Sequence, residues 1–370
     1  MKLTLSRETL LEPLQLVIGV VERRQTLPIL ANVLLTLEGQ SLAITATDLE
    51  IELIGLVTLD EPVAERTQVT VSGRKLLDIC KTLPPGSSID LQKDKDRVIV
   101  RSGRSRFILA TLPVDTFPRF EETEANLEVT IGQKGLGQLL QRTHFAMAQQ
   151  DVRYYLNGML LEIKDSKIRT VATDGHRFAM NVFLNQENIA APASQVILPR
   201  KGVLELMRLL KNDDFDTTTV VGQNFVRVKG NGFTFTSKLI DGRFPDYERV
   251  LPQEDGNRVI LDRDVLREAL IRVAILSNEK FRAIKFQLRP GLLHILANNP
   301  EQEEAEEALS VNYSGAELDI AFNVTYLLDV LNTLAPGDIK LTFTDTNNRM
   351  FIEEADSEGN SLFLVMPLQL

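Results

Sequence analysis

The feature that most constrains this chain is that it repeats itself. LLDICKTLPPG (Leu76–Gly86) returns as LLDVLNTLAPG (Leu327–Gly337), with seven identities at a single offset of 251 residues. Half of that offset falls on VLELMRLLK (Val203–Lys211), where Glu205 stands in for Asp78 and Asp329. Other landmarks keep the same step. Thr47-Asp48 returns as Thr173-Asp174 and then as Asn298-Asn299. Phe117-Pro118 returns as Phe244-Pro245, and Leu112-Pro113 as Met366-Pro367. Solenoid repeats run about 20–50 residues. A period more than twice that predicts whole domains in tandem: 1–126, 127–254 and 255–370.

Each third opens alike, with a short alternating strand followed by an amphipathic helix: KLTLSRETLLEPLQLVIGVV, EVTIGQKGLGQLLQRTHFA and RVILDRDVLREALIRVAIL. SLAITATDLEIELIGLVTL and KIRTVATDGHRFAMNVFL then alternate with a period near two, as half-buried strands do. Ser72 and Pro199 suit the start of a second helix. Gly86-Ser87-Ser88 and Asn212-Asp213-Asp214 suit the turns after it. The expectation for each third is strand, helix, several strands, helix, several strands. That is an α+β unit with two helices backed by antiparallel sheets.

Composition removes several classes. Of 370 residues, 44% are hydrophobic and 25% charged, which is ordinary for a folded chain and excludes disorder. No run of about 18 apolar residues predicts a membrane span. MKLTLSRETLLEPLQ carries charge where a signal peptide needs an apolar core. The single cysteine, Cys80, makes neither an internal disulfide nor a Cys-based zinc site and fits a reducing cytoplasm. The net charge of −10 argues against a simple basic nucleic-acid binder. The charge is uneven, however: −3, +2 and −9 over the successive thirds. A basic surface on an acidic chain stays open.

Catalytic and cofactor signatures are mostly missing. The histidines are His144, His176 and His294, with no HExxH, no Cys/His cluster and no GxSxG. Gly132, Gly135 and Gly137 do not fit the dinucleotide fingerprint, and no P-loop occurs. No cofactor and no metal are expected. Asp174 and His176, two apart, suit base chemistry, but Asp174-Gly175 equally suits a tight hairpin turn, with His176 starting the next strand. The run from Glu301 to Glu307 holds five carboxylates in seven residues. It reads as a solvated surface or as a partner for a basic one. Arg101, Arg104 and Arg106, with Arg74 and Lys75, offer such a surface in the first third. An acidic last third and a basic stretch in the first suggest head-to-tail contact between chains, which closes into a ring if the rotation allows. Arg200, Lys201, Arg208 and Lys211 cluster on a helix and suit phosphate contact, as does Arg23-Arg24.

The longest motifs then become recognisable. They are QDVRYYLNGMLLE (Gln150–Glu162), RTVATDGHRFA (Arg169–Ala179), PRKGVLELMR (Pro199–Arg208) and DGRFPDYERVLP (Asp241–Pro252). AILSNEKFR (Ala274–Arg282), ANNPEQEEAEE (Ala297–Glu307), FNVTYLLDVLN (Phe322–Asn332) and the terminal VMPLQL continue the series. Through them the chain resembles, end to end, the β-subunit family of bacterial DNA polymerase III, the sliding clamps. The resemblance implies three clamp domains per chain and two chains per ring. The ring is a non-catalytic processivity factor of DNA replication that encircles and slides on duplex DNA. It tethers polymerase, clamp loader and repair proteins.

The resemblance also implies sites. A cleft between the second and third domains, taking short apolar motifs, would be walled by Leu156, Thr173, Gly175, His176, Arg177, Phe178, Pro245, Arg249, Val250, Leu364, Val365 and Met366. Arg153, Tyr154, Asn323, Tyr326, Pro367 and Leu368 would extend it. DNA contacts would come from Arg24, Arg74, Gln150, Tyr155, Arg200 and Lys201. The ring seam would join Phe107 and Leu109 to Ile275 and Leu276, with Lys75, Arg101 and Arg104 facing Glu301, Glu303, Glu304 and Glu307. The chain departs from the family pattern at Gln149, Phe178 and Gln369, which affects the shape of the cleft and its preferred peptide. Two other readings stand beside this one: a monomeric multi-domain DNA-binding protein, and an enzyme built on Asp174 and His176.

Overall fold

The computed structural model describes residues 1–21, 27–120, 124–185, 193–211, 213–252, 256–344, 349–356 and 359–369. The first third runs β1 (Lys2–Ser6), α1 (Arg7–Val17), β2 (Asn32–Thr47), β3 (Ile51–Ser72), α2 (Gly73–Thr82), β4 (Ser88–Asp94), β5 (Arg97–Ser102) and β6 (Ser105–Ala110). The middle third runs β7 (Ala125–Gly132), α3 (Gln133–Gln141), β8 (Gly158–Lys164), β9 (Lys167–Thr173), β10 (Arg177–Leu184), β11 (Ser194–Pro199), α4 (Arg200–Leu209), β12 (Asp216–Gly222), β13 (Phe225–Gly230) and β14 (Phe233–Lys238). The last third runs β15 (Asn257–Asp262), α5 (Arg263–Ala274), β16 (Ala283–Arg289), β17 (Leu292–Asn298), β18 (Glu304–Ser310), β19 (Leu318–Asn323), α6 (Val324–Thr333), β20 (Asp338–Phe343), β21 (Met350–Glu354) and β22 (Ser361–Val365). The expected order of strand, helix, strands, helix, strands holds in all three.

Local chemistry explains the boundaries. Ser6 and Asp262 cap α1 and α5 by accepting from the backbone N–H three residues on. Ser72 precedes α2 as expected, but its side chain makes no capping bond. Ser88, read as part of a turn, is already the first residue of β4. Asn212 lies outside the described residues. In the first third, β2 and β3 run unbroken where the other thirds carry two strands each. Register shifts at Leu37/Gly39 and Gly39/Ser41 interrupt their ladder.

The chain gathers into two compact units that cut across the repeat. One holds Met1–Gly137 and Lys201–Leu239, and the other Gln138–Arg200 and Ile240–Leu370. In the first unit a four-stranded sheet runs β1-β4-β5-β6 and a six-stranded sheet runs β2-β3-β14-β13-β12-β7. Leu10, Leu14 and Val17 of α1 and Leu76, Leu77 and Cys80 of α2 are buried. The Cys80 thiol is pushed up to about 11 by that burial. In the second unit an eight-stranded sheet runs β11-β8-β9-β10-β22-β21-β20-β15 and a four-stranded sheet runs β18-β17-β16-β19.

The large sheets therefore cross the domain boundaries. Antiparallel pairing of β3 with β14 joins the first third to the middle one. Pairing of β10 with β22 joins the middle third to the last. Across the second seam Arg142 forks onto the Glu354 carboxylate at 2.9 and 3.0 Å and donates to Ser361 Oγ at 2.5 Å. Ser361 in turn donates to Asn181 Oδ1 at 2.7 Å. Among the described residues no helix is long and apolar enough to cross a membrane.

Gly158 opens β8 against the backbone of β11. A Cβ there would lie 2.5 Å from the Leu198 carbonyl oxygen. At Gly132 the nearest atom would be 3.9 Å away. Denaturant unfolding is expected to show Gly158→Ala losing about 1–3 kcal/mol and Gly132→Ala changing by less than about 0.5 kcal/mol. Equal effects would contradict this packing.

Candidate functional site

The site is built around one turn. Between β9 and β10, Thr173 Oγ1 donates to the Arg177 carbonyl at 2.7 Å and accepts from Gly175 N–H at 3.1 Å. Asp174 Oδ1 accepts from the N–H groups of His176 and Arg177 at 2.9 and 3.0 Å. Its other oxygen accepts from Arg177 Nε at 3.1 Å. The carboxylate is thus spent on backbone and guanidinium, and the His176 ring lies against Tyr326 instead, centroids 6.4 Å apart at 22°. No Asp174–His176 dyad forms. β10 starts at Arg177, so His176 closes the turn rather than opening the strand. Gly175 has φ +89°, which favours glycine, and a Cβ would lie 3.2 Å from the Arg153 guanidinium.

The same turn recurs in the first third. Thr47 Oγ1 donates to the Ile51 carbonyl at 2.8 Å and accepts from Leu49 N–H at 3.1 Å. Asp48 Oδ1 accepts from Glu50 and Ile51 N–H at 2.9 and 2.7 Å. The Thr-Asp pair seen in the sequence is therefore a hydrogen-bonding device that closes the hairpin.

Behind the turn lies an apolar cluster. Leu156, Phe178 and Leu364 are buried in it, with Leu160, Val171, Met180, Phe244 and Tyr247. Val250, Met366 and Tyr155 pack against it half-buried, and these form its reachable surface. The chain end is pinned alongside: Met366 N–H donates to the His176 carbonyl at 2.9 Å, and Leu368 N–H to Ala321 at 2.8 Å. Val365 is fully buried, Pro367 half-buried and Pro245 exposed. Gln369 is exposed at the end of the described chain. Asn323 caps α6 through Thr325 N–H at 2.9 Å.

The rim is cationic but tied down. Arg153 donates to Asp151 at 2.8 and 3.0 Å and to the Asp174 carbonyl at 3.1 Å. Those hydrogen bonds draw the Asp151 carboxyl down to about 2. Arg177 is bonded to Asp329 and stands over the Tyr326 ring at 4.6 Å. Burial and the Asp174 charge push the Tyr326 phenol up. Arg249 pairs with Asp246 at 2.8 Å in the open. A cavity of about 460 Å³ adjoins the cluster beside Glu162, Phe244 and Tyr247. There Glu162 accepts from Tyr247 at 2.7 Å, Gln195 at 2.5 Å and Arg169 at 2.5 Å.

The other expected residues are placed more loosely. Arg24 lies outside the described residues. Arg74 donates to the Val21 carbonyl at 2.6 Å, and Arg200 to Met147 at 3.3 Å. Lys201 pairs with Asp48 at 2.6 Å. Gln150 sits in an exposed loop at φ +56°. Tyr155 packs against the apolar cluster while Tyr154 is exposed beside it. Lys75, Arg101 and Arg104 are exposed, as are Glu301, Glu303 and Glu304. Glu307 is already held by the Arg272 side chain at 2.5 Å. In β6 Phe107 is half-buried and Leu109 is buried in its own sheet, whereas Ile108 is exposed. Ile275, 75% exposed, stands out from the end of α5, and Leu276 beside it is half-buried. Ile108 was missed; the alternation in SRFILA puts it on the face opposite Phe107 and Leu109. Among the described residues no group of three or more His, Cys, Asp or Glu is placed to hold a metal ion.

Three family models match successive stretches: the N-terminal domain of the DNA polymerase III beta subunit over residues 1–121, its central domain over 130–246 and its C-terminal domain over 248–369. The chain belongs to the DNA polymerase III beta subunit family. The beta sliding clamp of Pseudomonas aeruginosa is 54% identical to it over 370 residues, covering 100% of both chains. That of Escherichia coli is 48% identical over the same length and coverage. A Pseudomonas aeruginosa sliding clamp crystallised with griselimycin superposes with TM-score 0.95 at 54% identity, covering 100% of both chains. Three tandem clamp domains are thus the architecture of this chain, in agreement with the repeat.

Glu162 supplies a pH test for the polar layer beside the apolar cluster. Burial alone would raise its carboxyl, but hydrogen bonds from Tyr247 and Gln195 and the Arg169 charge outweigh it and hold it low. A lowered carboxyl adds stability that is complete above the unfolded value, about 4.3, and is lost as the pH falls through the folded one. Glu162→Gln is expected to flatten the acid limb of an unfolding curve below about pH 5. An unchanged limb would refute this role.

Proposed function

We propose that the chain is a non-catalytic processivity clamp: two copies close into a ring of six domains around duplex DNA, and the cleft around Phe178 tethers polymerase, clamp loader and repair proteins by short apolar motifs. The observation that carries the ring is the pair of internal seams. In β3–β14, Glu52 lies opposite both Thr236 and Thr47. In β10–β22, Phe178 lies opposite both Leu364 and Thr173. In the last third Glu304 lies opposite Asn298, the counterpart of those threonines. Yet β18 ends its sheet, and so does β6, the counterpart of β14 and β22.

The repeat thus leaves one seam unmade per chain, with both halves present. Exposed sheet edges pair readily. Carrying the internal register over adds β6 of one copy antiparallel to β18 of another, with Ile108 opposite Glu304 and Arg106 opposite Glu306. Each such seam is heterologous, β6 against β18, and a twofold axis that exchanges the two seams closes the ring. Ile275 and Leu276 supply apolar contact, and Lys75, Arg101 and Arg104 against Glu301, Glu303 and Glu304 set the register more than the affinity. Domain boundaries near 126 and 254 fit this reading.

The DNA contacts are non-specific. Arg24, Arg74, Gln150, Tyr155, Arg200 and Lys201 offer phosphate contacts without base-reading geometry, which suits sliding. The acidic balance elsewhere keeps DNA off the rest of the surface. Replication in the cytoplasm is the corresponding setting. The cleft fits its role because a half-buried apolar surface with a few fixed polar groups is what a short apolar motif needs.

Light scattering over a dilution series tests the ring. A mass of about twice 41.5 kDa is expected, falling to the single-chain mass in Ile108→Asp with Ile275→Asp. A monomer at every concentration would overturn it. For the cleft, Met366→Asp is expected to weaken a labelled apolar peptide about tenfold or more while the dimer mass persists. Unchanged binding would refute the assignment.

A further inference from the structure

The repeat places a second copy of the cleft at the seam between the first and middle thirds. The β-ladders align Leu34 with Leu160, Thr45 with Val171, Glu52 with Phe178 and Thr236 with Leu364. At that place lies a cavity of about 400 Å³. Its chemistry is reversed. Where the Phe178 cleft is apolar, this cavity is lined by Arg66, Arg119, Arg227 and Lys229 around the single carboxylate of Glu52.

Two of the guanidiniums are oriented and have donors to spare. Arg227 Nε donates to Thr236 Oγ1 at 3.1 Å, and its guanidinium carbon lies over the Phe225 ring, 5.3 Å from the centroid. Arg119 donates from one terminal nitrogen to Gln68 at 3.2 Å. Neither makes an ion pair among the described residues. Arg66 pairs with Glu38 at 3.3 Å in the open. Glu52 is 7% exposed and, among the described residues, accepts a long bond, 3.4 Å, from Phe120 N–H. Burial pushes its carboxyl up. Preorganised guanidinium forks match carboxylates in geometry and charge.

We propose that this seam is a second binding site on the chain, taking an acidic peptide segment through Arg119, Arg227 and Lys229. The alignment rests on reading the Phe178 cleft as a peptide site; the cation cluster does not. One peptide site is then selective for apolar side chains and its internal copy for carboxylates.

Fluorescence anisotropy of a labelled oligo-aspartate peptide on the full chain tests this, with the apolar peptide measured on the same protein. Saturable binding is expected, weakening as salt rises. Arg119→Glu with Arg227→Gln is expected to weaken it about tenfold and to leave the apolar peptide unaffected. The exposed pair Arg119→Gln and Lys229→Gln gives the same direction without touching the half-buried Arg227. Unchanged binding in both pairs would overturn the site. So would an equal loss from Lys167→Glu, an exposed charge that does not line the cavity, or displacement by inorganic phosphate as effective as by the peptide. An unsubstituted chain that binds the acidic peptide but not the apolar one would count against the Phe178 cleft and leave this site standing.

Discussion

Antiparallel hydrogen bonding between strands of neighbouring domains is the interaction on which the rest depends. Each domain alone ends in open edges, and an edge strand with unpaired N–H and C=O groups is unstable against further pairing. Here those edges are consumed in turn. β14 closes on β3 and β22 closes on β10. The sheets grow to six and eight strands, and the compact units form around seams rather than within repeats. Side chains at a seam are then fixed by ladder register, which is why a turn, a strand end and a chain terminus can jointly hold one apolar surface.

The same register shows how one scaffold carries different chemistry at equivalent places. Phe178 and Glu52 occupy matching positions in their ladders, as do Leu364 and Thr236. The backbone hydrogen bonds barely differ: the Thr-Asp turn holds at both seams with bonds of 2.7–3.1 Å. Side-chain identity alone separates an apolar surface from a cation-lined cavity. Nothing in the fold requires all copies of a site to serve one ligand.

Much of this was legible in the sequence. The tandem architecture follows from matches at one offset, because hydrophobic periodicity and turn residues both respond to local geometry. The Asp174-Gly175 turn was readable for the same reason. What escaped depends on partners distant in the chain. That Leu109 is buried while Ile108 is exposed is decided by which face of β6 meets its sheet. That Arg272 holds Glu307 is decided by packing of α5 near β18. The two readings of Asp174 and His176 could be separated only by seeing that the carboxylate is spent on Arg177 and on backbone N–H groups. Most site residues came from family resemblance, since spacing by itself does not tell a cleft wall from a core.

Cys80 lies fully buried in α2, its thiol held at about 11 and so protonated at neutral pH. Thiolate is the reactive form, and this is the chain's one sulfhydryl. The natural protein is therefore close to silent toward maleimides and disulfide exchange. A cysteine introduced on β6 or β18 would be the dominant reactive group, and a bond between two such cysteines would report directly which strands meet.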